Sequence, residues 1–218
     1  LRQMELSLAA LGRSSVNVYF LHQPDTRAVL DDALRAVDRL HREGKLQEFG
    51  LSNFPAWQTT QIYYKCRAKG WVLPTVFQGH YNALHRELEA ELIPCLRMLG
   101  MRLQCFSPLA AGLLGEADAR ADTPRALRTD RSVAISLASG LHSSRSASDI
   151  VADRWRTSIT HHTEGAPEGL AAALSAIETA CRAAGISKQL AAMRWLFHHS
   201  ALRPGDATIN GPATLDQL

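Results

Sequence analysis

The chain alternates between short apolar runs and longer amphipathic ones. Residues 16–22 (VNVYFLH) are apolar, β-branched or aromatic and predict a buried strand. After them, apolar side chains recur at intervals of three and four residues from Val29 to Leu40, which predicts a helix that Gly44 ends. A second strand over residues 48–53 (EFGLSN) and a second helix over residues 56–68 repeat the same unit, and Lys69 and Gly70 are predicted to end this helix.

The same cycle continues to the end of the chain. It predicts strands over residues 75–78, 101–108 and 206–211, and helices over residues 86–99, 168–183 and 187–199. Short buried strands that alternate with amphipathic helices are typical of parallel βα units. A complete eightfold barrel takes about 250 residues. The pattern therefore predicts an α/β fold, a partial (β/α)8 TIM barrel with five of its eight βα units. An open doubly wound sheet is the alternative, but no GxGxxG sequence opens a predicted helix.

One incomplete barrel domain over residues 1–218 accounts for this pattern, with a single interruption. Residues 132–149 are rich in Ser and Ala and keep neither the helical nor the strand period. This segment predicts a surface loop insertion, and a mobile lid over a ligand is the alternative. The chain begins with Leu1 rather than Met. We therefore expect it to be an N-terminally truncated form of a longer protein.

Composition and charge narrow the function classes. The chain is 46% hydrophobic and 21% charged, which is ordinary for a globular domain, and its apolar runs are shorter than the roughly 20 residues of a membrane span. Acidic residues interleave with the basic ones, so neither a nucleic acid nor a membrane is expected as a partner. The four cysteines form no CxxC pair, which predicts free thiols in a reducing compartment and hence a cytoplasmic location. The spacing of the histidines matches no zinc site, so no metal is expected.

The residues that close the predicted strands are the candidates for chemistry, because ligands of a parallel barrel bind at the carboxyl ends of its strands. They are His22, Ser52, Asn53, Gln78, Phe106, Ser107, Asn210 and Gly211. This set is polar and rich in amides, with one aromatic ring. Asn and Gln can pair with a carboxamide as donor and acceptor, and Phe can stack on a ring face. The set therefore favours a planar, amide-bearing ligand over a metal or a phosphoester.

Five motifs in order resemble the strand ends of the aldo-keto reductases. They are FLHQPD, EFGLSNF, TVFQGHYN, FSPLAAGLL and INGPATLDQL, in a resemblance that covers residues 1–116 and 168–218. The agreement is closest to the branch that reduces aflatoxin dialdehyde and succinic semialdehyde. The resemblance implies an NADP(H)-dependent oxidoreductase that reduces aldehydes or ketones, small carbonyl substrates, to alcohols.

The resemblance also assigns roles to individual residues. His22 corresponds to the active-site histidine that hydrogen-bonds the substrate carbonyl, and Phe106 to the aromatic residue that stacks on the nicotinamide. The residues that match the contacts to the nicotinamide carboxamide are Ser52, Asn53 and Gln78. Those that match the diphosphate contacts are Ser107, Leu109 and Gly112. Those that match the 2′-phosphate contacts are Gly211, Thr214 and Gln217. A helix N-terminus suits the 2′-phosphate on physical grounds as well.

The family's general acid has no counterpart in this chain. The resemblance places that acid, a Tyr, with its supporting Lys and Asp on strands before residue 16. Tyr19 is no substitute, because alternate strand residues face opposite sides and Tyr19 points away from His22. An alternative therefore stays open: a catalytically inactive module of this family that binds a nucleotide or a protein partner. The coding sequence upstream of Leu1 discriminates the two hypotheses.

Open sheet edges lead to a prediction about association. A barrel that lacks three strands leaves two edges with unpaired backbone groups, and such edges pair with other chains. We expect the purified chain to self-associate, which sedimentation velocity measures as a concentration-dependent increase in mass. A monomer that unfolds cooperatively at all concentrations would contradict this expectation.

Overall fold

The computed structural model describes residues 2–25, 29–115 and 170–211. The chain divides into two compact units, Leu1–Pro108 with Ser200–Leu218, and Leu109–His199. The Ser/Ala-rich segment 132–149 lies outside the described residues, so its interpretation as an insertion stays a prediction, as does that of a single domain. Within the described residues, no helix is long and apolar enough to cross a membrane.

The first unit contains most of the regular structure. Its helices are α1 (Arg2–Leu11), α2 (Leu30–Arg42), α3 (Ala56–Lys69) and α4 (Leu92–Met98). Its strands are β1 (Val16–Leu21), β2 (Leu46–Ser52), β3 (Pro74–His80), β4 (Arg102–Phe106) and β5 (Ala207–Thr208). The five predicted strands are thus confirmed in type and order.

Local sequence explains where two of these helices begin and end. Asp31 and Asp32 lie in the first turn of α2 and basic side chains in its last turn, which suits the helix dipole. The backbone of Gly70 is left-handed at the end of α3 (φ 65°) and donates to the Arg67 carbonyl. Glycine adopts this conformation without a steric penalty, so Gly70 ends the helix as predicted.

The sheet order follows the chain order. The five strands pair in the order β1-β2-β3-β4-β5, and every ladder is parallel. A doubly wound sheet reverses its order at a switch point, whereas a barrel adds each strand next to the preceding one. The observed order confirms a partial (β/α)8 barrel and excludes the doubly wound alternative for these five strands.

The two faces of the sheet differ in burial. One face carries Phe49, Leu51, Phe77, Leu103 and Cys105, all at most 1% exposed. On this side α2 contacts β2, and α4 contacts β4 and α3. On the opposite face, Ser52 and Val76 are buried, but Phe20, Gln78, Gln104 and Phe106 are only half-buried. The helix-covered face is therefore the core of this unit, and the other face is accessible to ligands at its carboxyl edge.

The prediction of one helix over residues 86–99 was wrong in its first half. Residues Glu87–Glu89 form a 3-10 turn, and α4 begins only at Leu92. Pro94 is the physical reason, because proline has no N–H and its ring clashes with the preceding turn in a helix interior. In the observed helix Pro94 lies in the first turn, where an N–H has no helical partner.

The last predicted strand, residues 206–211, is shorter than expected. Only Ala207 and Thr208 pair with β4. The Asp206 carboxylate accepts hydrogen bonds from the backbone N–H of Leu103 (2.7 Å) and from Arg97 Nη1 (2.9 Å). Because a side chain takes the Leu103 N–H, the backbone ladder begins one residue later. Asp206 thereby joins β4, α4 and β5.

The second unit contains two α-helices among its described residues, α5 (Leu170–Ala183) and α6 (Lys188–His198), which contact each other, and a 3-10 turn (Ala110–Gly112). Ser187 caps α6 by accepting a hydrogen bond from the Leu190 N–H (3.0 Å). These helices confirm the predictions over residues 168–183 and 187–199, except that residues 168 and 169 are outside the described part of the chain.

The Asp206 contacts predict a large loss of stability for Asp206→Ala. Its carboxyl group is 2% exposed and Arg97 is 16% exposed. Removing one partner of a buried ion pair leaves an uncompensated charge and costs about 3–5 kcal/mol of unfolding free energy. Urea denaturation followed by circular dichroism measures this loss.

The matched control is Asp32→Ala. Asp32 and its partner Arg35 are each 65% exposed, so the loss of unfolding free energy should stay below about 1 kcal/mol. Equal losses in the two variants would contradict the role of Asp206.

Candidate functional site

The carboxyl edge of the sheet brings several predicted site residues together. In the parallel register Leu21 pairs with Leu51, Ser52 with Gln78, and His80 with Phe106. Residues two apart on a strand share a face. Ser52, Gln78 and Phe106 therefore lie on the accessible face in three adjacent strands, and His22 follows β1 immediately at the same edge. The exposed side chain of His22 is one residue beyond the ladder.

Asn53 connects the ends of β1 and β2. Its backbone is left-handed (φ 61°), a conformation that Asn tolerates better than most residues. Its Nδ2 donates to the His22 carbonyl (2.8 Å) and to Ser52 Oγ (3.0 Å). These bonds use both amide protons, so Asn53 offers a ligand only its Oδ1 acceptor.

Ser52 and Gln78 differ in how they can meet a ligand. Ser52 is 2% exposed, and its hydroxyl oxygen accepts from Asn53. Gln78 is half-buried, and its amide makes no side-chain hydrogen bond within the described residues. A carboxamide needs two acceptors for its N–H groups and one donor for its oxygen. Asn53 Oδ1 with the Gln78 amide supplies that set, so the residues present fit the predicted carboxamide.

Phe106 lies in a stack of aromatic rings. Its ring is parallel to the His80 imidazole, with centroids 5.2 Å apart and 9° between the planes. His80 stacks in turn on His85, at 4.1 Å and 22°. His85 Nδ1 is 3.1 Å from the Glu87 carboxylate. The orientation of Phe106 is therefore supported by the end of β3 and by the turn that follows it.

Asn82 fixes the loop after β4. It is 0% exposed, and its Oδ1 accepts from the N–H groups of Leu84 and His85, each at 3.0 Å. Its Nδ2 donates to the Ser107 carbonyl (2.9 Å). Ser107 has a left-handed backbone (φ 55°), which this bond helps to hold. A buried amide thus sets the backbone at another predicted cofactor residue.

The remaining predicted residues lie elsewhere. Leu109 and Gly112 belong to the second unit, where the Leu109 carbonyl accepts from the Gly112 N–H (3.0 Å). Gly211 is exposed, three residues beyond β5, and a Cβ there would meet no atom within 4 Å. Thr214 and Gln217 are outside the described residues. The structure therefore brings His22, Ser52, Asn53, Gln78 and Phe106 to one edge of the sheet. Their roles, like those of the phosphate-side residues, stay predictions.

Sequence reasoning missed the contributions of Asn82 and His80. Both lie in the motif TVFQGHYN, where Asn82 comes two residues after the strand ends. An Asn directly after a strand was the available signal, because its side chain often bonds nearby backbone. In the part of the chain that the structure describes, no group of three His, Cys, Asp or Glu residues could hold a metal ion.

Comparison with known proteins decides the family. The model of the Aldo/keto reductase family matches residues 1–218. The chain is 38% identical to human "Aldo-keto reductase family 7 member A3" over 219 aligned positions, which cover 99% of this chain and 61% of that protein. This chain belongs to the aldo/keto reductase family. It is also 37% identical to human "Aflatoxin B1 aldehyde reductase member 4" (99% and 61% covered) and 38% identical to rat (Rattus norvegicus) "Aflatoxin B1 aldehyde reductase member 2" (99% and 55% covered).

The resemblance inferred from the five motifs is therefore confirmed. The chain spans about three-fifths of the length of these curated relatives. The aldo/keto reductase fold is a (β/α)8 barrel, which agrees with the five sequential parallel strands described above.

Tyr19 does not join the residues at the carboxyl edge. It pairs with Phe49 on the helix-covered face, whereas the neighbouring Phe20 pairs with Gly50 on the accessible face. A Cβ at residue 50 would collide with the Phe20 ring, which explains the glycine. Burial raises the pKa of the Tyr19 hydroxyl. Both position and acidity make Tyr19 unsuited to donating a proton at the carboxyl edge.

The accessible face also carries an ion pair toward its amino end. Arg102 donates to both carboxylate oxygens of Glu48, at 2.6 and 2.8 Å, and Thr75 Oγ1 donates to one of them at 2.7 Å. The Arg102 hydrogen bonds, with that from Thr75, lower the pKa of Glu48 from 4.5 to about 2. Glu48 is therefore ionised at neutral pH and closes this end of the face by bridging β2, β3 and β4.

This lowered pKa predicts how stability depends on pH. Folding favours the ionised form of Glu48, so its contribution is complete above the unfolded pKa near 4.5 and is lost as the pH falls toward about 2. Glu48→Gln resembles the protonated form and should cost about 1 kcal/mol above pH 5, after allowance for solvent screening. The difference should vanish near pH 2.

Urea denaturation at a series of pH values measures this difference. The matched control is Glu5→Gln, at a carboxylate 64% exposed and 3.7 Å from Lys45, which should change stability by less than about 0.5 kcal/mol throughout. A Glu48→Gln difference that does not depend on pH would refute the assignment.

Proposed function

We propose that this chain carries the nicotinamide-binding side of an NADP(H)-dependent oxidoreductase that reduces aldehydes or ketones to alcohols. The observation that carries the proposal is the arrangement at the carboxyl edge, where Asn53, Gln78 and Phe106 combine two amides with an aromatic ring. Membership of the aldo/keto reductase family supports the reaction class. Relatives named aflatoxin B1 aldehyde reductases support an aldehyde as substrate.

The carboxamide is bound by hydrogen bonds from two strand ends. Asn53 Oδ1 accepts from one carboxamide N–H, and the Gln78 amide accepts from the other and donates to the carboxamide oxygen. Ser52 contributes by accepting from Asn53 Nδ2, which holds the Asn53 amide in one orientation. Phe106 provides the face on which the nicotinamide ring stacks.

The phosphate groups are assigned to the loops that follow. Ser107, Leu109 and Gly112 follow β4 and run along the diphosphate in this proposal. Gly211, Thr214 and Gln217 follow β5 and receive the 2′-phosphate, which would explain a preference for NADPH over NADH.

His22 orients the substrate carbonyl. NADPH, when bound, supplies the hydride that reduces the carbonyl carbon. The His22 imidazole is exposed beside Ser52 and can donate a hydrogen bond to the carbonyl oxygen, which polarises it. The proton that completes the alcohol comes from a Tyr on a strand that precedes β1 in the complete barrel. This assignment rests on the resemblance to the family. In this proposal the chain therefore binds and orients, and the complete barrel carries out the reduction.

Two variants should affect binding and turnover differently. Gln78→Ala removes two hydrogen bonds to the carboxamide and should raise the dissociation constant of NADPH about tenfold, since each bond contributes about 0.5–1.5 kcal/mol. In the full-length protein, His22→Gln should leave NADPH affinity within about twofold and lower kcat with an aromatic aldehyde at least about tenfold. NADPH fluorescence measures binding, and the loss of NADPH absorbance measures turnover. The matched control is Gln47→Ala, an exposed residue at the amino end of β2, which should change neither.

The outcomes separate the two hypotheses. Turnover of an aldehyde with the expected effects of both variants supports the oxidoreductase. Saturable NADPH binding that Gln78→Ala weakens, without turnover even in the full-length protein, supports an inactive nucleotide-binding member of the family. No binding of NADPH by the full-length protein would refute the proposal.

A further inference from the structure

His80 occupies a position that the proposed site does not yet use. It is the last residue of β3, it shares the accessible face with Gln78, and its backbone pairs with Phe106 on β4. Its ring lies 5.2 Å from that of Phe106 with only 9° between the planes, so it covers part of one face of Phe106. Only the face of Phe106 that points away from His80 is then available to a nicotinamide ring.

The orientation of the His80 ring is itself determined by its neighbours. His85 stacks on it at 4.1 Å, and Asn82 Nδ2 lies 3.2 Å from its Nε2 atom. Two backbone N–H groups donate to Asn82 Oδ1, which assigns the amide nitrogen to the side of His80 and Ser107. Nε2 of His80 is consequently the acceptor in this bond, and its ring cannot rotate without losing both the bond and the stack.

The same amide links the His80 ring to the loop after β4. Asn82 donates one proton to the Ser107 carbonyl and lies within hydrogen-bond distance of His80 with the other. Asn82 is fully buried, so these bonds have no competition from water. His80, Phe106 and Ser107 are therefore held as one unit at the edge of the sheet.

We infer that His80 is a positioning residue for cofactor binding: it supports the Phe106 ring so that the opposite face of that ring stacks on the nicotinamide. The inference rests on the proposed function and adds a residue to it. The support comes from the aromatic character of His80, since stacked rings gain energy that an aliphatic side chain of similar size does not supply. His80 acts on the nicotinamide half of the cofactor and does not contact the adenosine half.

Two ligands and three variants test this role. NADPH carries the nicotinamide, whereas adenosine 2′,5′-bisphosphate carries only the adenosine half. His80→Ala, and His80→Leu, which fills the space without a ring, should each raise the dissociation constant of NADPH about three- to tenfold and leave that of the bisphosphate within about twofold. His80→Phe keeps a ring and should bind NADPH within about twofold of the unchanged full-length protein. Isothermal titration calorimetry measures both ligands, and circular dichroism confirms that each variant is folded.

Each result bears on the inference. The expected pattern supports it, because a general structural defect would weaken both ligands equally. Equal weakening of the two ligands, unchanged NADPH affinity in His80→Leu, or a His80→Phe variant as weak as His80→Leu would overturn it. If the unchanged protein binds NADPH and the variants behave alike, only the role of His80 fails. If the unchanged protein does not bind NADPH, the proposed function fails as well.

Discussion

Parallel pairing of consecutive strands is the constraint on which the rest of this structure depends. Each strand lies next to its predecessor in the same direction, so every strand ends at the same edge. The register then decides which side chains meet there, and a shift of one residue would turn Gln78 and Phe106 to the helix-covered face. Which side chains form the candidate site therefore depends on the register of the strands as well as on the residue types.

Buried and partly buried amides hold the strand ends in that arrangement. Asn53 bonds the backbone at the end of β1, and Asn82 bonds the backbone after β4. Both side chains bond backbone groups at strand ends, where the ladder stops and the N–H and C=O groups need partners other than a neighbouring strand. Each amide also restricts a neighbouring residue of the candidate site, so the same hydrogen bonds stabilise the strand ends and the candidate site. Asp206 plays the equivalent part near the amino end of β4.

The polar residues of the accessible face form two groups at opposite ends of the strands. Glu48 and Arg102 pair toward the amino end of their strands, and Gln78 and His80 lie toward the carboxyl end. The ion pair satisfies its own charges within the sheet. The amide of Gln78 has no side-chain hydrogen bond within the described residues, which suits it to an external partner. The same face thus combines an ion pair whose charges are paired within the sheet with an edge that is a candidate for ligand binding.

The sequence by itself determined the βα repeat, the fold class and most of the residues that meet at the carboxyl edge. Periodicity and glycine stops report burial and helix ends directly, which is why β1 to β4 and Gly70 matched their predictions. It did not reveal that Pro94 would delay α4 or that Asp206 would shorten β5, because both depend on competition between a local pattern and a specific steric or hydrogen-bond partner.

Only the tertiary structure showed the stack of His85, His80 and Phe106 and the role of Asn82. The contacts of His80 with Phe106 and of Asn82 with Ser107 join residues 26 and 25 positions apart, and no local pattern encodes the register that brings them together.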